Sequence, residues 1–210
     1  MTKLRILDAF SGSGNWVKPW LKTVSFDIEI DSVDILNLPH VNHCMDIRDF
    51  KIIKEYHIVY ASFPCQHFSK IRNCYAKSTE EEMKKAIELS DYAFYLASKA
   101  KLAYLLENPY TGDAIRLYPN YRKVDYSEYG FPMRKRTAIW TNLPLNLKLQ
   151  KGIKYNRLPL SSMTTINKSA VPLPLAEYVK RIIIRTFNKE LQEFKLPGLK
   201  KALISVYQPG

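Results

Sequence analysis

Six short runs of apolar and β-forming residues recur along this chain, each giving way to polar or turn-forming residues. They are Leu4–Ala9, Thr23–Ile28, His57–Ser62, Ala103–Leu106, Lys123–Tyr126 and Thr137–Thr141. The clearest helix signal lies between the third and fourth. Thr79-x-x-Glu82 has capping-box spacing, and Met83, Ile87, Phe94 and Ala97 follow a roughly helical period. A second helix is predicted after Pro174, running through Ala176, Val179, Ile183 and Phe187; Pro172 and Pro174 stop what precedes and suit a helix start. Short strands alternating with helices predict an α/β fold with a mainly parallel sheet. In such sheets ligands lie beyond the carboxyl ends of the strands. The unusual residues fall there repeatedly: Ser11–Gly14 after the first run, Asp27 at the end of the second, Pro64–Cys65 after the third and Glu107–Asn108 after the fourth.

Charge divides the chain unevenly. Residues 1–133 hold 17 basic and 17 acidic side chains, and residues 134–210 hold 15 and 3, so the net charge of +12 lies in the last third. A basic surface confined to one end suits a polyanion, nucleic acid first, although lysines and arginines also solubilise helix faces. Tyr155, Tyr178 and Phe187, interleaved with those cations, could stack on bases or pack in a core. With 210 residues there is one domain and ample material for a full core. No apolar run approaches a membrane span, and the first residues are too polar after Phe10 for a secretory signal. Three cysteines (Cys44, Cys65, Cys74) make no disulfide framework. The expected setting is therefore soluble, intracellular and cytoplasmic.

Three segments carry candidate chemistry. Asp8-Ala-Phe10-Ser11-Gly12-Ser-Gly14 joins a strand to a predicted helix; its glycines allow positive φ and close approach of a ligand to the backbone. Val17 stands where a dinucleotide fingerprint needs its third glycine, and no Walker lysine follows. Asp27 would accept from ribose hydroxyls. In Phe63-Pro64-Cys65-Gln66-His67-Phe68-Ser69 the cysteine is placed unlike a core thiol, and nearby positive charge would favour its nucleophilic thiolate. Glu107-Asn108-Pro109 ends an apolar run, where a partly desolvated carboxyl group suits proton donation; a strand-to-turn glutamate is the plain alternative. Tyr129–Thr137 brings Arg134, Lys135 and Arg136 before another strand as phosphate contacts or exposed cations. The four histidines show no metal-ligand spacing with the cysteines, so no metal is expected.

In order and spacing these segments resemble the cytosine-C5 DNA methyltransferase family, in a compact form like its phage and viral members. Asp8–Gly14 matches the first motif, Asp-x-Phe-x-Gly-x-Gly. Pro64–Gln66 matches the Pro-Cys-Gln nucleophile motif, with Ser69 in its usual place, and Glu107–Pro109 matches Glu-Asn-Val/Pro. Tyr129–Arg136, continuing into Ile139–Asn142, matches the basic motif. Asp27 with Ile28 falls at the acidic position after the second strand, Met45-Asp46-Ile47 resembles the Gly-Asp-Ile segment, and Ser169–Ala176 resembles the late Gly-Asn-Ser/Ala-Val-Pro motif. There are departures. Lys135 and Thr137 stand at the arginine positions of Gln-x-Arg-x-Arg, and Lys168-Ser169 at the late Gly-Asn. Only residues 142–168 separate the last two motifs, short of the ~40 an independent domain needs.

The resemblance implies a Rossmann-like S-adenosylmethionine-dependent methyltransferase fold, with a mainly parallel sheet flanked by helices and a target recognition domain minimal or absent. Its domain organisation would be a catalytic domain at 1–141 plus 169–187, a target-recognition segment at 142–168 and a basic tail at 188–210. The implied methyl donor is S-adenosyl-L-methionine, leaving S-adenosylhomocysteine. Asp8, Phe10, Ser11, Gly12, Gly14, Asp27, Ile28, Asp46, Ile47, Pro64 and Ser169 would hold it. Cys65 would add to C6 of a flipped-out cytosine, with Glu107 at N3 and an arginine, Arg134 or Arg136, at O2. Phe63, Gln66, Ser69, Asn108 and Lys135 would complete the base site. The expected partner is double-stranded DNA, with room for a helper protein that supplies specificity. An RNA substrate such as tRNA, or a catalytically silent DNA-binding relative, are the rival readings.

Overall fold

A computed structural model describes residues 3–68, 77–110, 112–147 and 170–195. Its frame is one seven-stranded sheet: β1 (Leu4–Ala9), β2 (Ile28–Asp34), β3 (His43–Cys44), β4 (Ile58–Ala61), β5 (Ala103–Pro109), β6 (Arg122–Asp125) and β7 (Arg136–Thr141). The order is β3-β2-β1-β4-β5-β7-β6. The first five strands of that order are parallel, whereas β7 runs antiparallel to both β5 and β6. The strand order reverses beside β1, which puts the ends of β1 and β4 at the switch point where open α/β sheets bind ligands. This is a Rossmann-like architecture with an antiparallel seventh strand inserted beside β5.

Alternation along the strands builds a core on each face. Ile6, Tyr60, Leu105 and Ile139 pack on one side with the short helix α1 (Lys18–Leu21) and with α4 (Leu173–Thr186). Leu7, Val59, Leu106 and Trp140 point to the other side, against α2 (Glu80–Ser98). Helix α2 starts where the sequence placed it. Thr79 Oγ1 accepts from the Glu82 amide at 3.2 Å, and Glu82 returns its carboxylate to the Thr79 amide at 2.9 Å. Helix α4 begins at Leu173 with Pro174 in its first turn, and it buries Ala176, Val179 and Ile183. A four-residue helix α3 (Ala114–Leu117) follows β5.

The second strand departs from its prediction. It runs over Ile28–Asp34, not Thr23–Ile28. Acidic residues interrupt its apolar pattern, which hid it, and neighbouring side chains neutralise them. Asp31, nearly buried, accepts from Tyr56 Oη at 2.5 Å and pairs with Lys54 at 2.7 Å and His43 at 2.9 Å. Glu29 pairs with Lys54 and with Arg5. Asp27 and Ile28 thus sit at the opening edge of the sheet, where the Asp27 amide donates to the Phe194 carbonyl. They are not at the ligand edge, and this corrects their assignment to the cofactor site.

The stretch 142–168 is described only as far as 147, and the tail from 188 only to 195. That part of the tail forms a 3-10 turn, Glu190–Phe194, and buries Leu191 and Phe194 in the first core. Tyr178 and Phe187 also pack against this core, and the Tyr178 hydroxyl bonds the Asn146 backbone at 3.2 Å, so neither is a base-stacking platform. Tyr155 lies outside the described residues. Among the described residues no helix is long and apolar enough to cross a membrane.

Candidate active site

The carboxyl ends of β1, β2, β4 and β5, with the start of β7, enclose one region. Cys65 lies four residues past β4, half-buried and followed by a tight turn in which the Phe68 amide donates to its carbonyl at 3.2 Å. Burial pushes its thiol pKa above the ordinary value; the Glu107 carboxyl adds to that rise and Lys135 opposes it. Net positive charge therefore does not activate this thiol at rest, contrary to the expectation from its motif. Both electrostatic partners come from the other two sequence motifs, which the fold has brought to the same place.

Glu107 and Asn108 are adjacent on β5, so they face opposite sides of the sheet. Glu107 is buried on the α4 side and accepts from the Tyr126 hydroxyl at 3.3 Å. Asn108, also buried, donates Nδ2 to the Phe63 carbonyl at 2.9 Å, which ties the cysteine turn to β5; its Oδ1 is buried without a hydrogen bond. A second tie runs from the Asp113 amide to the Phe68 carbonyl at 2.9 Å. The three cations separate. Arg134 is exposed and turned to Asp125, Nε to Oδ2 at 3.1 Å. Arg136 opens β7, and its carbonyl accepts from the Tyr110 amide at 3.0 Å. Lys135 lies with its Nζ 4.6 Å from the centre of the Tyr126 ring, and of the three it is the one that acts on Cys65.

The loop after β1 is a strained cradle. Phe10, Gly12 and Gly14 have φ of 53°, 51° and 65°, the left-handed region that glycine adopts freely and phenylalanine only under strain. A Cβ on Gly14 would stand 2.5 Å from His40 Cδ2, so this glycine is required by close approach as well as by φ. The Gly12 amide donates to Asp34 Oδ2 at 2.8 Å, and Asn15 Nδ2 donates to the Val171 carbonyl at 2.6 Å, which draws the late motif onto the loop. Buried Asp8 accepts from Ser11 Oγ at 2.5 Å, and burial raises its pKa to about 7. Gly12 has only the Phe10 carbonyl within 4 Å of where a Cβ would stand, and the Asp34 carboxylate at the end of β2 lies beside it. His40 Nε2, buried without a partner, is a further polar atom there.

No family model matches the chain. A "Probable DNA (cytosine-5)-methyltransferase" of Frog virus 3 (isolate Goorha) is 29% identical over 158 residues, 67% of this chain and 71% of that relative. The chain is thus similar over two thirds of its length to a probable viral DNA (cytosine-5)-methyltransferase. Among solved structures, the Entamoeba histolytica methyltransferase EhMeth is similar at a TM-score of 0.45 and 12% identity. That match covers 75% of this chain and 58% of the other, less than two thirds of its length.

The acidic residue at the carboxyl end of the second strand, beside the loop after β1, is Asp34. The sequence reading missed it because it placed β2 too early; the signal available was Val33-Asp34, an apolar residue followed by an acid before a polar loop. Asp46 is present, but Arg48 holds both its carboxylate oxygens, at 2.9 and 2.6 Å, and keeps its pKa below the usual range. The Ile47 side chain is packed in the second core. Asn15, His40 and Tyr126 went unnoticed, since nothing local in the sequence separates them from ordinary loop and core residues. Ser69 and Ser169 lie outside the described residues. A cavity of about 380 Å³ occurs at the opposite edge, lined by Ile52, Tyr56, Tyr95, Leu96 and Lys99, away from Cys65. Among the described residues no cluster of three or more His, Cys, Asp and Glu side chains is placed to hold a metal.

Proposed function

We propose that this protein is a DNA (cytosine-5-)-methyltransferase acting through a Cys65 adduct on a flipped-out cytosine in double-stranded DNA. The observation that carries the reading is the meeting of Cys65, Glu107 and Lys135, from three separate motifs, at one edge of the sheet. S-adenosylmethionine, when bound, supplies the electrophilic methyl group. The loop Asp8–Gly14 and Asp34 would hold it, with Asp46 beside them.

Cytosine C5 is a poor nucleophile until the ring is activated. The Cys65 sulfur, once deprotonated, adds to C6 and pushes electron density toward C5 while a proton held by Glu107 goes to N3. The N3 proton returns to Glu107 as C5 is methylated; water or hydroxide then takes the C5 proton, the C5–C6 double bond re-forms and the Cys65 thiolate leaves. Lys135 is the cation near enough to offset charge at this site; Arg134 and Arg136 stand to its two sides. The Phe63 carbonyl already accepts from Asn108 and has a second lone pair for the cytosine amine. Neither C5 nor C6 is reachable inside a stacked duplex, so the base must leave the stack at a cost of a few kcal/mol.

The resting thiol fits this scheme, because the raised pKa keeps Cys65 protonated until a substrate changes its surroundings. Phosphate contacts from the basic last third would dominate affinity and make binding fall steeply with salt. The test is methyl transfer to DNA and to RNA in one labelled-methyl assay, with Cys65→Ser and Glu107→Gln beside the wild type. Transfer confined to DNA and lost in Cys65→Ser supports the reading. Turnover retained in Cys65→Ser sinks the covalent route, and transfer only to RNA sinks the DNA substrate.

A further inference from the structure

Tyr126 belongs to none of the motifs above, yet it touches the site from beneath. It opens the 3-10 turn Tyr126–Tyr129 directly after β6, and its side chain is wholly buried. A residue with no exposed surface cannot contact a base or a cofactor. Its hydroxyl nevertheless reaches Glu107 Oε2 at 3.3 Å, the only hydrogen bond recorded for that carboxyl group among the described residues. Resting-state bonds at active sites are often long and tighten when substrate binds.

The surroundings fix this phenol on every side. Its amide donates to the Lys135 carbonyl at 2.9 Å, and its carbonyl accepts from the Phe131 amide at 3.1 Å. The Phe131 ring meets it edge-on with centroids 6.0 Å apart, and Lys135 Nζ covers it. The buried Asp125 carboxylate, one residue earlier, gathers Ser127 N, Ser127 Oγ, Arg134 Nε and Lys135 N at 2.6–3.3 Å. The basic loop is thereby clamped to the residue that contacts Glu107. Burial, reinforced by the negative charge of Glu107, drives the phenol pKa well above its ordinary value, although the Thr137 hydroxyl pulls it down. Tyr126 therefore remains a donor throughout the working pH range. A carboxyl oxygen that always accepts from a phenol does not carry the acid proton, which leaves that proton on Oε1.

Resting on the reading of Glu107 as the proton donor, we propose that Tyr126 is a positioning residue: it binds Glu107 Oε2 and thereby directs the proton on Oε1 at the base. Tyr126 bonds Glu107 and Cys65 is coupled to it, while Lys135 bears on Cys65 and on the Tyr126 ring and the Thr137 hydroxyl bears on Tyr126. Tyr126→Phe keeps the ring and removes only the hydroxyl. Its kcat is expected to fall about tenfold with both KM values within twofold, because substrate contacts are untouched. 3-Fluorotyrosine incorporated at 126 keeps the hydroxyl as a donor, so its kcat is expected to stay within about threefold of wild type, and it guards against a variant that does not fold.

An unchanged kcat in Tyr126→Phe, or a loss of kcat matched by an equal rise in KM, overturns the proposal. A second readout does not require turnover. The infrared carboxylate band assigned by subtracting Glu107→Gln is expected to shift between wild type, Tyr126→Phe and the fluorotyrosine protein. A band at the same frequency in all three overturns the proposal even if the wild type methylates nothing, in which case the failed reading is the enzymatic one.

Discussion

Replacing Gly14 with alanine adds one methyl group where the loop after β1 has least room for it. Two costs can be separated. The backbone φ of 65° charges an L-residue about 1–2 kcal/mol. The new Cβ would also lie 2.5 Å from His40 Cδ2 and 2.8 Å from its Nε2, inside van der Waals contact. The obstacle is a side chain, so His40 can turn away, at roughly 0.5–1.5 kcal/mol for a strained rotamer. Together they destabilise by about 1.5–3.5 kcal/mol. At ~2–4 °C per kcal/mol for a chain of this size, Tm drops by about 3–14 °C. In a His40→Ala background only the backbone cost remains, so Gly14→Ala should there cost about 1 kcal/mol less. Urea denaturation of the four proteins in this double-mutant cycle measures the coupling directly. Equal costs in both backgrounds would refute the packing of His40 on Gly14.

Four further outcomes follow from the same geometry. Asp34→Ala should weaken S-adenosylhomocysteine binding at least tenfold by calorimetry, whereas Asp27→Ala leaves it unchanged; the reverse would restore the earlier placing of the acidic residue. Burial holds a proton on Asp8 more tightly in the folded protein than in the unfolded chain, with a pKa near 7 against 3.8. Its contribution to stability is thus fully present below about pH 4 and lost as pH rises through about 7. The melting temperature of Asp8→Asn relative to wild type should accordingly climb across that window, and a flat difference would contradict the burial argument. Glu107→Gln removes the carboxyl group that helps to raise the Cys65 thiol pKa, so iodoacetamide should label Cys65 faster at pH 8, followed on the Cys65 peptide because Cys44 is exposed. Thr79→Ala removes the α2 cap and should cost about 1 kcal/mol with methyl transfer unaffected.

What could be read from the sequence was whatever local chemistry fixes. Leu4–Ala9 is a strand because its apolar residues must serve two faces, and Thr79 caps α2 because its hydroxyl and the Glu82 carboxylate answer each other's free amides. The motif residues Cys65 and Glu107 stood out for the same reason, each being a reactive side chain at a strand end. The second strand could not be seen, because Glu29 and Asp31 become tolerable in a sheet only once Lys54, His43 and Tyr56 arrive from elsewhere. Tyr126 was hidden likewise: a tyrosine after a short strand looks like core until β5 brings Glu107 against its hydroxyl. The charge around Cys65 is also a tertiary property, and it came out opposite to the local guess, since a buried carboxyl group lies nearer in effect than the lysine.

The central claim is that Cys65 and Glu107 together activate cytosine for methyl transfer. Its most direct test is incubation of the purified protein with S-adenosylmethionine and unmethylated, sequence-diverse DNA, read for 5-methylcytosine at single-base resolution. The account predicts methylation at a defined sequence context that disappears in Cys65→Ser. Methylation that survives Cys65→Ser, or a wild-type protein that binds the cofactor and modifies no cytosine in DNA, would contradict it.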